Sequence, residues 1–264
     1  MKLDFKGRKI RIYLRNMGKI KIGLIILGSM ALVGLVLAGV AVAVSKPTKE
    51  KAKAPNLEKI EFIHWRKGYA KPAGKAPKPP TCYKFLTPTK VRWQSLPISY
   101  VINPTNPQGL SEDFISTAVF NSAETWDATT SKEFFNDTYT TSTGPETAYG
   151  VQNYINSISF GDRYSDPGII AATTVWYNPA TKEIVEFDIT FETDYVWGDA
   201  TASSTVMDLQ NIATHELGHG VGLGDVYEDA CSEVTMYGYS DYGETKKRSL
   251  EPPDVTGLQT LYGI

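Results

Sequence analysis

The chain has 264 residues, 42% apolar and 11% aromatic, enough to fill one or two cores and incompatible with wholesale disorder, collagen repeats or a disulfide-dense miniprotein. Its formal charge of −2 hides an asymmetry: residues 1–21 and 45–81 each carry +7, whereas residues 82–264 hold 9 basic and 25 acidic side chains. So acidic a region repels phosphates, which excludes a nucleic-acid partner and favours cationic ones: metal ions, basic peptides or the chain's own basic linker.

Residues 1–21 form a basic tail. Residues 22–44, IGLIILGSMALVGLVLAGVAVAV, contain no charge and exceed the ~20 residues that cross a hydrocarbon core. They read as an uncleaved transmembrane signal anchor; the competing reading is a secretory signal peptide cut near Ala43. Eight Lys/Arg precede the run and five follow within 20 residues, which places the N-terminus in the cytoplasm and the rest outside the cell membrane. Residues 45–81, rich in Lys, Ala and Pro, read as an extended, solvated linker, interrupted by the patch Ile60–Trp65. Cys82 and Cys231 lie in the exported part, where an even count suggests one disulfide. Free thiols, or Cys82 as a removable metal ligand, are the alternatives.

From Cys82 to Ile264 the pattern is α+β, a twisted mixed sheet with about three helices. Leu96–Ile102 predicts a first strand. Ser111 then caps a helix with Glu112 and Asp113 in its first turn and Ile115, Ala118, Val119, Ala123 and Trp126 on one face. Strands follow at Tyr154–Phe160, Ile169–Tyr177 and Ile184–Phe191, the last two joined by a turn at Asn178–Lys182. Helices cover about Met207–Gly220 and Pro252–Gly263.

The chemistry is concentrated in His215-Glu216-Leu217-Gly218-His219-Gly220-Val221-Gly222-Leu223-Gly224-Asp225. Histidines four apart on a helix share a face and can hold one tetrahedral Zn²⁺ at ~2.0–2.1 Å. Glu216, beside the first, is placed to act as general base on a metal-held water. A catalytic site needs a third ligand and an open position. Only three histidines exist, and His64 lies far upstream in the linker, so the third ligand reads as a carboxylate. Gly222 can turn the chain back through positive φ and bring in Asp225; Glu228, Asp229 and Glu233 are the fallbacks.

This run, with Met236 in Val234-Thr235-Met236-Tyr237 and the stretches Asp208–Ala213 and Asp254–Gly263, resembles the metzincin peptidases, most closely the matrixins. The resemblance spans about residues 90–264. It implies a metzincin-like fold and a zinc-dependent endopeptidase acting on protein or peptide. It also implies a Met-turn in which Met236 floors the metal. The strand Ile169–Thr174, with Ile170, Ala171 and Ala172, would be the sheet edge that binds extended peptide. Asp225 stands where the usual third ligand is His, as in snapalysin-like metzincins. One catalytic Zn²⁺ is expected and no second zinc; 25 acids leave room for structural Ca²⁺, although no EF-hand-like loop is visible. No recognisable propeptide precedes the domain, so the sequence leaves latency unexplained, and it sets no oligomeric state. The rival reading is a non-catalytic zinc-binding module displayed on a tether, to which Glu216 would be superfluous.

Overall fold

Two apolar runs separated by a four-residue connection dictate the centre of the molecule. In the computed structural model, which describes residues 56–69 and 81–263, they form the antiparallel hairpin β6 (Ile169–Asn178) and β7 (Glu183–Glu192). Both are buried almost throughout, as strands covered on both faces must be. The preceding elements are β1 (Glu58–Arg66), β2 (Lys84–Phe85), β3 (Val101–Ile102), α1 (Glu112–Asp127), β4 (Thr140–Thr141) and β5 (Ser157–Gly161). After the hairpin come β8 (Trp197–Gly198), β9 (Met207–Asp208), α2 (Leu209–Gly220), β10 (Leu223–Gly224), β11 (Tyr239–Ser240) and α3 (Pro252–Tyr262). The main sheet is mixed, in the order β11-β1-β6-β7-β5-β3-β4. Its two antiparallel pairings are β1–β6 and β6–β7; the rest are parallel.

Helix α1 begins where expected, the Ser111 hydroxyl accepting from the Phe114 N–H at 3.2 Å. It packs on α2, and the Trp126 indole donates to the Thr214 carbonyl at 2.8 Å. Three boundaries differ from the expected ones. Tyr154–Phe160 is strand only from Ser157, to Gly161, because the N–H groups of Asn153 and Tyr154 turn to the Glu186 carboxylate. Leu96–Ile102 contributes only Val101–Ile102 as strand, because Pro97 has no N–H for a ladder. Met207–Asp208 pairs with β8, so α2 starts at Leu209, and the Asp208 carboxylate caps it by accepting from Asn211 N–H at 2.8 Å.

The larger correction concerns residues 45–81. Nine of them, Glu58–Arg66, are not solvated spacer but a strand of the main sheet. Consequently Ile169–Thr174 is not an edge: β1 lies against it, Phe62 opposite Thr173, Ile63 opposite Ala172 and His64 opposite Ala171. The alternation Ile60, Phe62, His64 supplies the inward face that makes this pairing favourable. Among the described residues no helix is long and apolar enough to cross a membrane; the run 22–44 lies outside them.

Candidate metal centre

Helix α2 brings His215, Glu216 and His219 into the protein interior, all fully buried. Its end is set by glycine. Gly222 has φ +107°, and a Cβ there would sit 3.0 Å from the Val91 carbonyl oxygen, so both the turn and the space exclude a side chain. The reversal lets the Leu223 carbonyl meet His219 Nδ1 at 2.9 Å and delivers Asp225 to the imidazoles. Chain pairing then continues, Val226 N–H donating to the Met236 carbonyl at 2.9 Å, which places the Val234–Tyr237 turn beneath the helix. Asp254 holds that turn by accepting from Thr235 N–H (2.9 Å) and Met236 N–H (3.1 Å). Met236 is fully buried under Gly218, where an added Cβ would come within 2.3 Å of its sulfur.

Whether these residues fit a metal can be read from what their polar atoms lack. His215 Nε2, His219 Nε2 and Asp225 Oδ1 are buried without a hydrogen-bond partner. They converge: Oδ1 lies 3.1 Å from His215 Nε2 and 3.5 Å from His219 Nε2. Three orphaned atoms are costly unless something else satisfies them. The other atom of each residue is committed. His215 Nδ1 faces the Thr235 carbonyl at 2.7 Å and His219 Nδ1 the Leu223 carbonyl, so both must be the protonated nitrogens, leaving Nε2 lone pairs free. Tyr227 donates to Asp225 Oδ2 at 2.8 Å, leaving Oδ1 free. Burial and then the charge of Lys247 hold the His215 pKa down to about 3. Burial opposes ionisation of Asp225, but His219 and His215 outweigh it and hold the carboxyl well below its ordinary range. Against burial, the Asp225 carboxylate raises the His219 pKa in the metal-free site; two imidazole Nε2 atoms and an ionised carboxylate are the donor set of a zinc site, and these three fit the ion.

Glu216 stands beside them. Burial pushes its pKa up to about 7, against the lowering effect of His219 and of the Thr173 hydroxyl, which donates to Oε2 at 2.5 Å. Its Oε1 lies 3.1 Å from Nδ1 of His64, the histidine the sequence reading left in the linker. That places His64 at the site after all, since β1 carries it there.

The remaining candidates fall elsewhere. Glu228 lies near Lys84, 3.8 Å away; Asp229 accepts from Tyr237; Glu233 pairs with Lys246 at 3.0 Å, and none joins the cluster. Ile170, Ala171 and Ala172 are buried, and their strand is paired along that edge by β1 instead of bordering an open groove. Cys82 is bonded to Cys231, which removes it as a ligand. Among the described residues two groups of His and acid atoms cluster tightly enough for a metal, one with Asp225 and the other joining His64, His215 and Glu216; neither is the all-oxygen set that suits Ca²⁺. Sequence reasoning missed Thr173, Tyr227 and Lys247, whose types carry no metal or base signal. It had a clue to His64 in the period-two apolar patch around it.

Residues 92–263 match the sequence profile of the matrixin family. Over 179 residues the chain is 25% identical to neutrophil collagenase of Homo sapiens, covering 68% of this chain and 35% of that protein. It is 25% identical over 185 residues to the hatching enzyme of Paracentrotus lividus, covering 70% and 28%. It is 41% identical over 66 residues to metalloendoproteinase 4-MMP of Arabidopsis thaliana, covering 25% and 18%. The chain thus spans about a third of the length of the first of these relatives. With the profile extending over well more than half of its residues, and with the convergent imidazoles and carboxylate on α2 and the turn after it, the chain belongs to the matrixin family.

Proposed function

We propose that this protein is a zinc-dependent endopeptidase held outside the cytoplasm by an N-terminal membrane anchor. The observation that carries the chemistry is the convergence of three buried, unpartnered ligand atoms beside a buried glutamate. His215 Nε2, His219 Nε2 and Asp225 Oδ1 would hold the ion. Bound there, Zn²⁺ supplies Lewis acidity: it polarises a scissile carbonyl and renders a water acidic enough to lose its proton near neutral pH. Glu216 would hold the transferred proton on Oε1, the oxygen that Thr173 leaves and that His64 engages in this structure, and pass it to the leaving amine. Asp225 offsets part of the ion's charge, and Tyr227 fixes the carboxylate's orientation.

Relatives named as a collagenase and as a metalloendoproteinase support peptide as the substrate. The 23-residue uncharged run and its Lys/Arg bias support the anchor, and the Cys82–Cys231 disulfide supports an oxidising compartment. We assign one zinc to the described residues.

The test is elemental analysis of the full chain together with turnover of an unfolded protein, with and without a chelator. Because β1 lies across the pocket, the assay includes Phe62→Asp, which unseats that strand. One zinc per chain and chelator-sensitive cleavage are expected. Zinc without cleavage in either form would favour the display-module reading.

A further inference from the structure

Alternate residues of β1 face the metal pocket. The Phe62 ring stacks on His219 with centroids 4.2 Å apart and planes at 14°, and the His64 ring stands edge-on to His215 at 4.0 Å. The backbone from Phe62 to His64 therefore crosses the two imidazoles that the proposed ion needs. His64 itself is fully buried, with Nε2 3.0 Å from the Ser240 hydroxyl and 3.3 Å from the Lys247 ammonium. An ammonium can only donate, so Nε2 accepts and Nδ1–H donates to Glu216. With Thr173 on Oε2 and His64 on Oε1, both oxygens of the proposed base are engaged.

The strand is recognised along its length. On its other face Glu61 accepts from the hydroxyls of Tyr149 (3.0 Å), Tyr164 (3.0 Å) and Thr174 (3.3 Å). At its end Arg66 pairs with Asp241 at 3.0 Å and Lys67 with Glu244, joining the basic linker to the acidic domain. Main-chain pairing runs on both sides, antiparallel to β6 and parallel to β11, the strand that follows the methionine turn. Adding an extended segment to a sheet is how an endopeptidase groove takes a peptide. β1 fills the position a peptide substrate would take, and its tie to the same chain raises its local concentration above that of any competitor.

We propose that Glu58–Arg66 is a resident peptide, bound in the substrate groove and holding the enzyme latent, with the Ser240–Lys247 pocket reading a hydrogen-bonding side chain at the His64 position. The proposal rests on the endopeptidase reading. It also assigns specificity roles to Tyr149, Tyr164, Ser240 and Lys247, none of which the motif reveals.

The test compares the zinc-loaded full chain with its Phe62→Asp and His64→Ala variants. Two readouts are used: cleavage of an unfolded protein, and binding of a fluorescent peptide of residues 56–69. If the strand occupies nine-tenths of clefts or more, unseating it raises the rate at least about tenfold, because apparent affinity scales with the competent fraction. The labelled peptide is expected to bind and inhibit the variants and to leave the intact chain unlabelled. A peptide carrying the Glu61→Ala and His64→Ala changes should bind at least about tenfold more weakly, a loss of ~1.4 kcal/mol or more. A sheet strand with only a structural role gives the opposite result: lower activity in the variants and no binding in trans. Equal rates in all three folded chains, or a labelled peptide that binds none of them, would overturn the resident peptide and leave the endopeptidase intact. No cleavage by any form, with peptide binding preserved, would reject the endopeptidase while the occupied groove stands.

Discussion

Two buried acidic sites lie on opposite sides of the central hairpin, and they differ in what their oxygens still lack. On β7, Glu186 accepts from the N–H groups of Asn153 and Tyr154 and from the Gln152 amide. Asp188 accepts from Gly150 N–H at 2.9 Å and from the Ser157 hydroxyl at 2.6 Å. Those carboxylates are saturated, and their work is to hold the 150–157 loop on the sheet. In the metal centre Asp225 has one oxygen engaged by Tyr227 and the other pointed, unpartnered, at two imidazole nitrogens. Burial alone does not distinguish a ligand from a brace. The convergence of unsatisfied atoms does: single ones occur at Glu124 and Glu244, whereas three meet at Asp225.

The contrast can be broken or sharpened by substitution. The largest expected effect is Glu216→Ala: in the Phe62→Asp background, turnover falls by ~10²–10⁴-fold while elemental analysis still finds one zinc. Asp225→Ala should weaken zinc at least about 100-fold, more than loss of a supporting group does, as read by competition with a chromogenic chelator. Full zinc affinity in that variant would move the third ligand elsewhere. Tyr227→Phe should cost ~10-fold in zinc affinity, since it removes only the bond that orients the carboxylate. Glu186→Gln should leave zinc stoichiometry unchanged and cost about 1–3 kcal/mol in urea unfolding, because backbone donors lose their acceptor.

A further effect is one of pH, with opposite signs at the two sites in metal-free protein. Asp188 has its pKa raised to about 7, by burial against the bonds from Ser157 and Gly150. Its stabilising contribution is present below the unfolded value of ~3.9 and is lost as pH rises through about 7. Asp225 is depressed, so its contribution is present above ~3.9 and is lost as pH falls. The Asp188→Asn chain should therefore show a flatter fall of the urea midpoint between pH 4 and 7, and an unchanged slope there would remove Asp188 from the account.

Much of the site was legible before any coordinates. The four-residue histidine spacing put both imidazoles on one helix face with Glu216 beside the first, and Gly222 makes the turn that brings Asp225 round. Ser111 and the alternating apolar runs located α1, β6 and β7 to within a residue or two. Thr173, Tyr227 and Lys247 were illegible because each matters only through a partner more than one element away or through a hydroxyl and amine common to any surface.

Local pattern by itself determined the chemistry: helical periodicity, a glycine turn and a short list of donor atoms act within a dozen residues, so sequence order is enough to bring them together. Only the tertiary structure decided what lies over that chemistry. His64 and Glu216 are separated by 152 positions, and their meeting depends on sheet pairing between β1 and both β6 and β11. Within a stretch whose lysines and prolines read as solvated chain, Glu58–Arg66 becomes a strand because β6 along its length and β11 at its end offer it backbone partners and three hydroxyls meet one glutamate, interactions that none of its residues can make by itself.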